Sequence, residues 1–467
     1  MHLSSPLQNC FSENNFVRAC FNLNNMERIY IEDLSKYIGQ EVLVKGSVDV
    51  RRDHGKLIFL DIRDFSGKVQ SVALPNHKEM QEVAKTLRSE WIVSVRGKVN
   101  ERPEKMVNND EKNGSIELEL LEIKVLNTAI ELPFEKDEEV NIDTHLDYLP
   151  LTLRGSKYRK VFAIQSTIVG AFRDFFRSKK FTEIQVPKLI GEDAEGGANS
   201  FEVPYFKHIA HLAQSPQLYK QIMVGVFERV FTVGNVYRAE KHSTTRHLNE
   251  YTSLDIEMGF IEDHKDVMKI EGEFLKYLLS ELSKKNGNDL KEVGLELPLL
   301  PDEIPSMKLR EAQELIKKET GKDKTSEPDL EPEDEKWLCE YAKNNLGSDF
   351  IFITHFPISK RPFYTYPDEE DKGYTKGFDL LFRGIEITTG AERIHDYKML
   401  LSAIEDKGLN KDNFAFYLQA FKCGIPPHGG FGMGLERLTQ KFLGLSNVKE
   451  ATLFPRDLNR IDMLLSK

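Results

Sequence analysis

Hydrophobic and polar positions follow two periods along this chain, and the period changes near residue 150. In the first segment it is two. Val42, Val44, Gly46, Val48 and Val50 alternate with Leu43, Lys45, Ser47, Asp49 and Arg51, the pattern of a half-buried strand. After a turn at Asp53-His54-Gly55, Ile58, Leu60 and Ile62 form an apolar face, while Phe59 shares the other face with Asp61 and Arg63. Ser66-Gly67 marks the next turn, and Val69 to Val72 the next strand. Short strands at this spacing predict a small closed barrel.

An OB-fold fits the length of that segment, residues 27–130. The acidic, Pro-containing stretch from Glu131 to Asp147 then reads as a hinge, within boundaries of 131–150. A helical period follows, with Ile164, Ile168, Phe172, Phe175 and Phe176 on one face. Residues 264–285 and 308–319 also read as helices. Glu327 to Asp334, acidic and Pro-rich, is expected as a surface loop of a helical insertion over about 262–348. Strands return at Phe350 to Ile353, Gly377 to Phe382 and Ile385 to Thr389. This order predicts an α+β domain over 151–467, built on an antiparallel sheet.

The stretch Phe231 to Phe260 carries the candidate chemistry. Phe231, Val233, Val236 and Tyr237 lie in one strand. In a second, Leu254, Ile256 and Met258 alternate with Asp255 and Glu257. The loop between them holds Arg238, Glu240, Lys241, His242, Arg246, His247 and Glu250. Ordinary hairpin loops have about 2–5 residues, so a loop this long and charged implies a ligand. Several cations on a rigid strand pair suit a polyphosphate. Near the other end, Gly429 to Leu438 reads GGFGMGLERL, a glycine-rich strand running into a helix with Arg437 at the junction. It lacks the third glycine of a dinucleotide fingerprint, and no G-x-x-x-x-G-K-[ST] occurs.

Composition narrows the class. At 467 residues the chain exceeds one ordinary core. A net charge of −11 argues against indiscriminate polyanion binding but permits local basic patches. Cys10, Cys20, Cys339 and Cys423 have no metal spacing and fit a reducing cytoplasm. No apolar run is long enough to span a bilayer.

Taken in order, these segments resemble the class II aminoacyl-tRNA synthetases. SKKFTEIQVPKLI (Ser178 to Ile190) is similar to motif 1, YRAE…TTRHLNEYTSLDIEM to motif 2 and GGFGMGLERL to motif 3. AQSPQLYKQ (Ala213 to Gln221), RHLNE, GAERIHD (Gly390 to Asp396) and LFPRD (Leu453 to Asp457) resemble the aspartyl-tRNA synthetases of the archaeal and eukaryotic type. The resemblance covers roughly residues 27–467. It implies an OB-fold anticodon domain and a class II catalytic domain that dimerises through motif 1. The implied reaction is the joining of L-aspartate to tRNA-Asp, with tRNA-Asn left open as a second acceptor, using ATP and Mg2+, in the cytoplasm.

The resemblance also implies site roles. Arg238 would contact the α-phosphate and the amino-acid carboxylate. Arg246 and His247 would lie near the β- and γ-phosphates, and Arg437 and Tyr251 against adenine, with Arg437 also reaching the γ-phosphate. Glu240, Leu248 and Gly434 complete the expected ATP site. Asp379, Glu386 and Thr389 are the expected metal ligands; relatives often have Ser at the last. Lys220 and Arg393 would grip the aspartate side chain, with Gln217 and Asp255 on its ammonium. Thr389 lies nearby, and Glu195 belongs to a mobile loop closing over the substrate. Two fixed cations suit a carboxylate better than a carboxamide, whose NH₂ would face a donor. The alternative is an asparaginyl-tRNA synthetase, which shares all three motifs. In the barrel, Phe59 offers a stacking platform for an unpaired base, with Gln70 and Arg51 as further anticodon contacts.

Residues 1–26 carry no motif and are expected to be a dispensable, disordered leader. A protein beginning at Met26 should therefore charge tRNA like the full chain. A large loss of charging with amino-acid activation preserved would instead make the leader a tRNA-contacting arm.

Overall fold

The computed structural model describes residues 26–109, 111–191, 200–292 and 294–465. The chain divides into two compact units between Glu135 and Lys136. The first contains β1 (Glu41–Asp53), β2 (Ile58–Arg63), β3 (Lys68–Ala73), α1 (Lys78–Thr86), β4 (Ile92–Glu101) and β5 (Ile116–Asn127). The strands close into a barrel in the order β1-β2-β3-β5-β4. Val42, Val44, Val48, Ile58, Leu60, Ile62 and Val69 fill its interior.

One residue of β1 departs from strict alternation. A bulge between Val48 and Val50 lets the strand bend from its pairing with β4 to its pairing with β2. The extra residue reverses the facing beyond it. Val50 becomes 41% exposed, and Arg51 falls opposite the buried Leu60.

The second unit begins with α2 (Ile142–Asp147), α3 (Leu149–Thr152), α4 (Ser156–Ser178), β6 (Thr182–Glu183), β7 (Leu189–Ile190), β8 (Glu202–Tyr205), β9 (His208–Leu212) and α5 (Gln217–Phe227). The strands β10 (Arg229–Tyr237) and β11 (Glu250–Gly259) follow, then α6 (His264–Glu292), β12 (Ser306–Lys308), α7 (Leu309–Thr320) and α8 (Pro332–Leu346). The chain ends with β13 (Phe350–Thr354), β14 (Gly377–Phe382), β15 (Ile385–Arg393), α9 (Tyr397–Asp406), α10 (Ala415–Lys422), β16 (His428–Gly434) and α11 (Leu435–Phe442). The large sheet has the order β12-β13-β14-β15-β16-β11-β10-β6. Its six central strands are antiparallel; β12 and β6 are parallel edges. Strands β7, β9 and β8 form a separate small sheet.

One face of the large sheet is apolar. Leu254, Ile256, Phe378, Leu380, Phe431 and Met433 pack there against Phe172 and Phe176 of α4 and Phe274 and Leu278 of α6. The alternating acids of β11 therefore face the other way.

Three sequence expectations shift. The second half of the expected hinge is helical, because the Asn141 side chain accepts from Thr144 N–H at 2.9 Å and caps α2. The expected acidic loop stops at Glu331. Pro332 opens α8, and Asp334 accepts the Glu331 N–H at 3.0 Å. The helix expected to end at residue 285 runs to Glu292 across a non-helical Asn286.

One buried acid sits in the apolar layer. Glu271 of α6 is 0% exposed, and burial raises its pKa to about 8, with the Thr388 hydroxyl beside it offsetting only part. Its unfolded pKa is about 4.3. The folded state thus retains a proton that the unfolded state loses as pH rises. Glu271 favours the fold fully below pH ~4.3 and loses that contribution by pH ~8, at up to about 1.4 kcal/mol per pH unit. Glu271→Gln should flatten this slope. Urea unfolding of both proteins at pH 6 and pH 8 should show wild type losing more stability than the variant. Parallel losses would mean that Glu271 does not titrate in this range.

Candidate active site

The register between β11 and β16 sets acids against glycines. Asp255 lies opposite Gly432 and Glu257 opposite Gly430. Directly opposed residues share a face. A Cβ on Gly430 would come 2.1 Å from the Ile256 carbonyl oxygen and 2.3 Å from Glu257 Oε2. At Gly432 it would lie 3.0 Å from Asp255 Oδ1. The glycines of this strand therefore first make room for two carboxylates.

Two cations meet those carboxylates. The residues Gln217, Lys220, Gln221 and Val224 recur at helical spacing and form the buried face of α5. Three of the four are polar, which is unusual for a buried stripe. Lys220 is 1% exposed. Its Nζ donates to Asp255 Oδ1 at 3.0 Å and the Phe431 carbonyl at 3.0 Å, and lies 3.3 Å from Glu257 Oε2. From β15, Arg393 donates through Nε to Glu257 Oε1 at 2.9 Å and through Nη2 to the Gly430 carbonyl at 2.9 Å and Gln217 Oε1 at 3.3 Å. Burial opposes the charge on Glu257, but Arg393 and Lys220 outweigh it and hold its pKa below the usual value. Lys188 stands near Asp255; burial lowers its pKa while that carboxylate partly restores it.

A second bulge builds the other end of the site. Asp379 pairs with Thr389 across β14 and β15, but the register slips between Leu380 and Leu381, so Leu381 pairs with Glu386. Residues three apart on a regular strand point to opposite faces. The slip leaves Glu386 on the Thr389 side, where Thr389 Oγ1 donates to Glu386 Oε1 at 2.6 Å. Burial opposes the charge of Glu386, yet Arg437 and the Thr389 hydroxyl hold its pKa low. Burial instead raises Asp379 to about 7, despite Arg361, whose Nη2 donates to Asp379 Oδ2 at 2.7 Å. Asp379 Oδ1 is buried without a partner. Two neighbouring carboxylates, one with a bare oxygen, and a hydroxyl fit a hard cation that also takes phosphate oxygens and water. Among the described residues no cluster of three or more metal-ligating side chains occurs.

These groups surround one cavity of ≈ 650 Å³. Gln217, Asp255, Thr389 and Arg393 line one part of it. Arg238, Glu240, Arg246, His247, Leu248, Tyr251, Glu386, Gly434 and Arg437 also line it. The Arg238 guanidinium lies 5.7 Å from the Tyr251 ring centroid, and Arg437 Nη1 donates to the Glu386 carbonyl at 3.1 Å. Burial, with Arg437 and Arg246 nearby, lowers the His247 pKa. Lys220 and Asp379 stand outside the cavity wall, one residue deeper. Glu195 lies outside the described residues.

The model of a family described as tRNA synthetases class II (D, K and N) matches residues 141–458, and that of an OB-fold nucleic acid binding domain matches residues 42–126. The chain belongs to the class II tRNA synthetases. The synthetase is 46% identical over 438 residues to an aspartate–tRNA(Asp/Asn) ligase of Thermus thermophilus, covering 93% of this chain and 99% of that protein. It is 39% identical to an aspartate–tRNA(Asp) ligase of Thermoplasma volcanium, covering 93% and 100%. Among solved structures it resembles asparaginyl-tRNA synthetase of Pyrococcus horikoshii complexed with asparaginyl-adenylate, with TM-score 0.86, 30% identity and coverage of 93% and 99%. It also resembles aspartyl-tRNA synthetase of Entamoeba histolytica, with TM-score 0.83, 30% identity and coverage of 94% and 93%.

In the synthetase's barrel, half-buried Phe59 pairs across strands with Arg52. Arg52 binds both oxygens of Asp61 at 2.8 Å and donates to Gln70 Oε1 at 3.3 Å. Arg51 does not join this surface. The β1 bulge turns it to the other side, where it donates to the Lys85 carbonyl at 2.8 Å. The cation expected beside Phe59 and Gln70 is therefore Arg52.

Sequence reasoning also passed over Glu257, Arg361, Glu335 and Glu436. An acid alternating with Asp255 was the available signal for Glu257. Arg361 stood in the run KRPFY, and its guanidinium lies 3.8 Å from the Phe356 ring centroid. Both Glu436 oxygens accept the Thr252 N–H at 3.0 Å, and burial raises its pKa to about 7. Nothing in the sequence marked Glu335.

The acid-against-glycine ladder has a steric consequence. Gly430→Ala should destabilise the catalytic unit by about 2 kcal/mol or more, because a methyl group has nowhere to go. Gly434→Ala, whose new methyl group would meet the Arg437 side chain at an ordinary 3.7 Å, should change stability by less than ~1 kcal/mol. Thermal unfolding of the two variants should separate them; equal effects would refute the packing argument.

Proposed function

We propose that this synthetase is an aspartate–tRNA ligase. It joins L-aspartate to ATP, forming aspartyl-adenylate and pyrophosphate, and the 3′-terminal hydroxyl of tRNA-Asp then displaces AMP. The observation that carries this reading is the charge balance of the amino-acid site. Two cations, Lys220 and Arg393, are buried with two carboxylates, Asp255 and Glu257. The substrate ammonium binds Asp255 and Gln217, which removes one carboxylate from that balance. One positive charge then remains for the substrate side chain. The β-carboxylate of aspartate neutralises it, beside Arg393 at the wall and with Lys220 beneath. A carboxamide leaves it uncompensated, at a cost of about 1–3 kcal/mol or more.

Activation needs little covalent help from the protein; positioning and charge stabilisation suffice. Arg238 brings the α-phosphate to the substrate carboxylate. Tyr251 and Arg437 flank the adenine, while Glu240, Leu248 and Gly434 shape the surrounding wall. Arg246 and His247 meet the β- and γ-phosphates. Asp379, Glu386 and Thr389 would hold Mg2+, which neutralises phosphate charge when bound. The carboxylate oxygen attacks the α-phosphorus, and the bond to the β-phosphate oxygen breaks. We assign the Phe59, Arg52 and Gln70 face of the barrel to the anticodon. A homodimer formed through the Ser178 to Ile190 segment, acting in the cytoplasm, completes the reading. Among the described residues no helix is long and apolar enough to cross a membrane.

ATP–pyrophosphate exchange provides the test. Exchange should depend on aspartate and barely respond to asparagine. Lys220→Met should lower aspartate-dependent exchange by at least ~10-fold, since a buried charge pair is broken, while AMP binding stays near wild type. Equal exchange with both amino acids would overturn the aspartate assignment.

A further inference from the structure

The helical insertion reaches the nucleotide site through α8. A carboxylate of Glu335, on α8, forms an ion pair with Arg246 of the motif 2 loop. Arg246 lines the cavity and Glu335 does not, so the acid holds the guanidinium from behind. The acid is itself firmly placed. Glu335 lies one turn before Leu338 and Cys339 and two before Ala342, which pack into a core with Ile351, Ile353 and Leu381 of the sheet. On this face the helical period calls for an apolar residue. Burial raises the pKa of Glu335, and Arg246 and Arg437 partly offset this, while Glu386 adds to it. Those same two arginines and Glu386 border the proposed triphosphate site.

An arginine side chain loses much rotamer freedom when it grips a phosphate. A fixed carboxylate behind it removes that freedom in advance and leaves the remaining N–H groups for the ligand. We infer that Glu335 is a positioning residue for ATP: it holds Arg246 ready for the β- and γ-phosphates and so ties the insertion to nucleotide binding. The inference rests on the proposed role of Arg246.

The test uses the full-length enzyme and the variants E335Q, E335A, R246A and the double variant E335A/R246A. ATP–pyrophosphate exchange yields KM for ATP and for aspartate, and AMP inhibition probes a nucleotide lacking the β- and γ-phosphates. For E335Q and E335A, KM for ATP should rise about tenfold, the scale of one charge-assisted hydrogen bond, while KM for aspartate and inhibition by AMP change less than about twofold. In the R246A background, E335A should add nothing, because the two residues act as one unit. An increase for ATP in R246A but in neither Glu335 variant would overturn this inference alone. An unchanged KM for ATP in R246A would overturn the reading of Arg246 beneath it. Weakened AMP binding in E335Q would reduce Glu335 to a structural role. A misfolded E335A leaves the near-isosteric E335Q to decide.

Discussion

A carboxylate with no exposed surface must be charge-paired, or it loses its charge. Glu257 is such a group, and much of the catalytic unit follows from satisfying it. The requirement fixes Arg393 at the end of β15 and Lys220 on the buried face of α5. It also demands a glycine opposite on β16, since any Cβ there would strike the carboxylate. Three elements from distant parts of the sequence are thus held in register by one buried charge. The proposed amino-acid site is the same cluster seen from the cavity. Structural stability and substrate choice draw on shared charges, so changes to this cluster should rarely affect only one of them.

Two of the β-bulges, in β1 and between β14 and β15, do comparable work by geometry alone. A strand places every second residue on one face, and one extra residue reverses that choice. In β15 and β14 the slip brings Glu386 to the side of Thr389 and toward Asp379. In β1 it turns Val50 outward and Arg51 away from Phe59. Both bulges adjoin the surfaces that we assign to ligands. There the sheet gives up a regular pairing to aim particular side chains.

This explains what was legible in the sequence. The apolar alternation of Leu254, Ile256 and Met258 located the core face, and Asp255 and Glu257 between them located the cavity face. The barrel strands were equally plain, because their inward residues are almost all Val, Ile and Leu. A bulge changes no composition, only parity, so Arg51 could not be told from Arg52 along the chain. The start of α8 was obscured for a different reason. Acidic and Pro-rich composition reads as a loop, but Pro332 and Asp334 are also what a helix start requires. The cavity itself gathers residues from β11, β15, β16, α5 and α11 and from the loop after β10. Neighbourhoods of that kind come from topology, which motif order suggested but periodicity alone could not supply.

The sheet and helices provide a scaffold that does not itself choose between a carboxylate and a carboxamide. That choice depends on how the buried charges sum. Asp255 and Glu257 already neutralise Lys220 and Arg393 when the site holds no substrate, so these four buried groups carry little unbalanced charge among themselves. Binding of the substrate ammonium to Asp255 shifts the balance toward positive and prepares the site for the β-carboxylate. On this account the two ends of the amino acid assist one another. An analogue lacking the ammonium should lose the affinity due to that contact and part of the preference for a negative side chain as well. Because the coupling is carried by full charges in a low-dielectric setting, it should persist at salt concentrations that screen surface pairs. Side-chain preference measured for such an analogue would show whether the two ends are read together or one at a time.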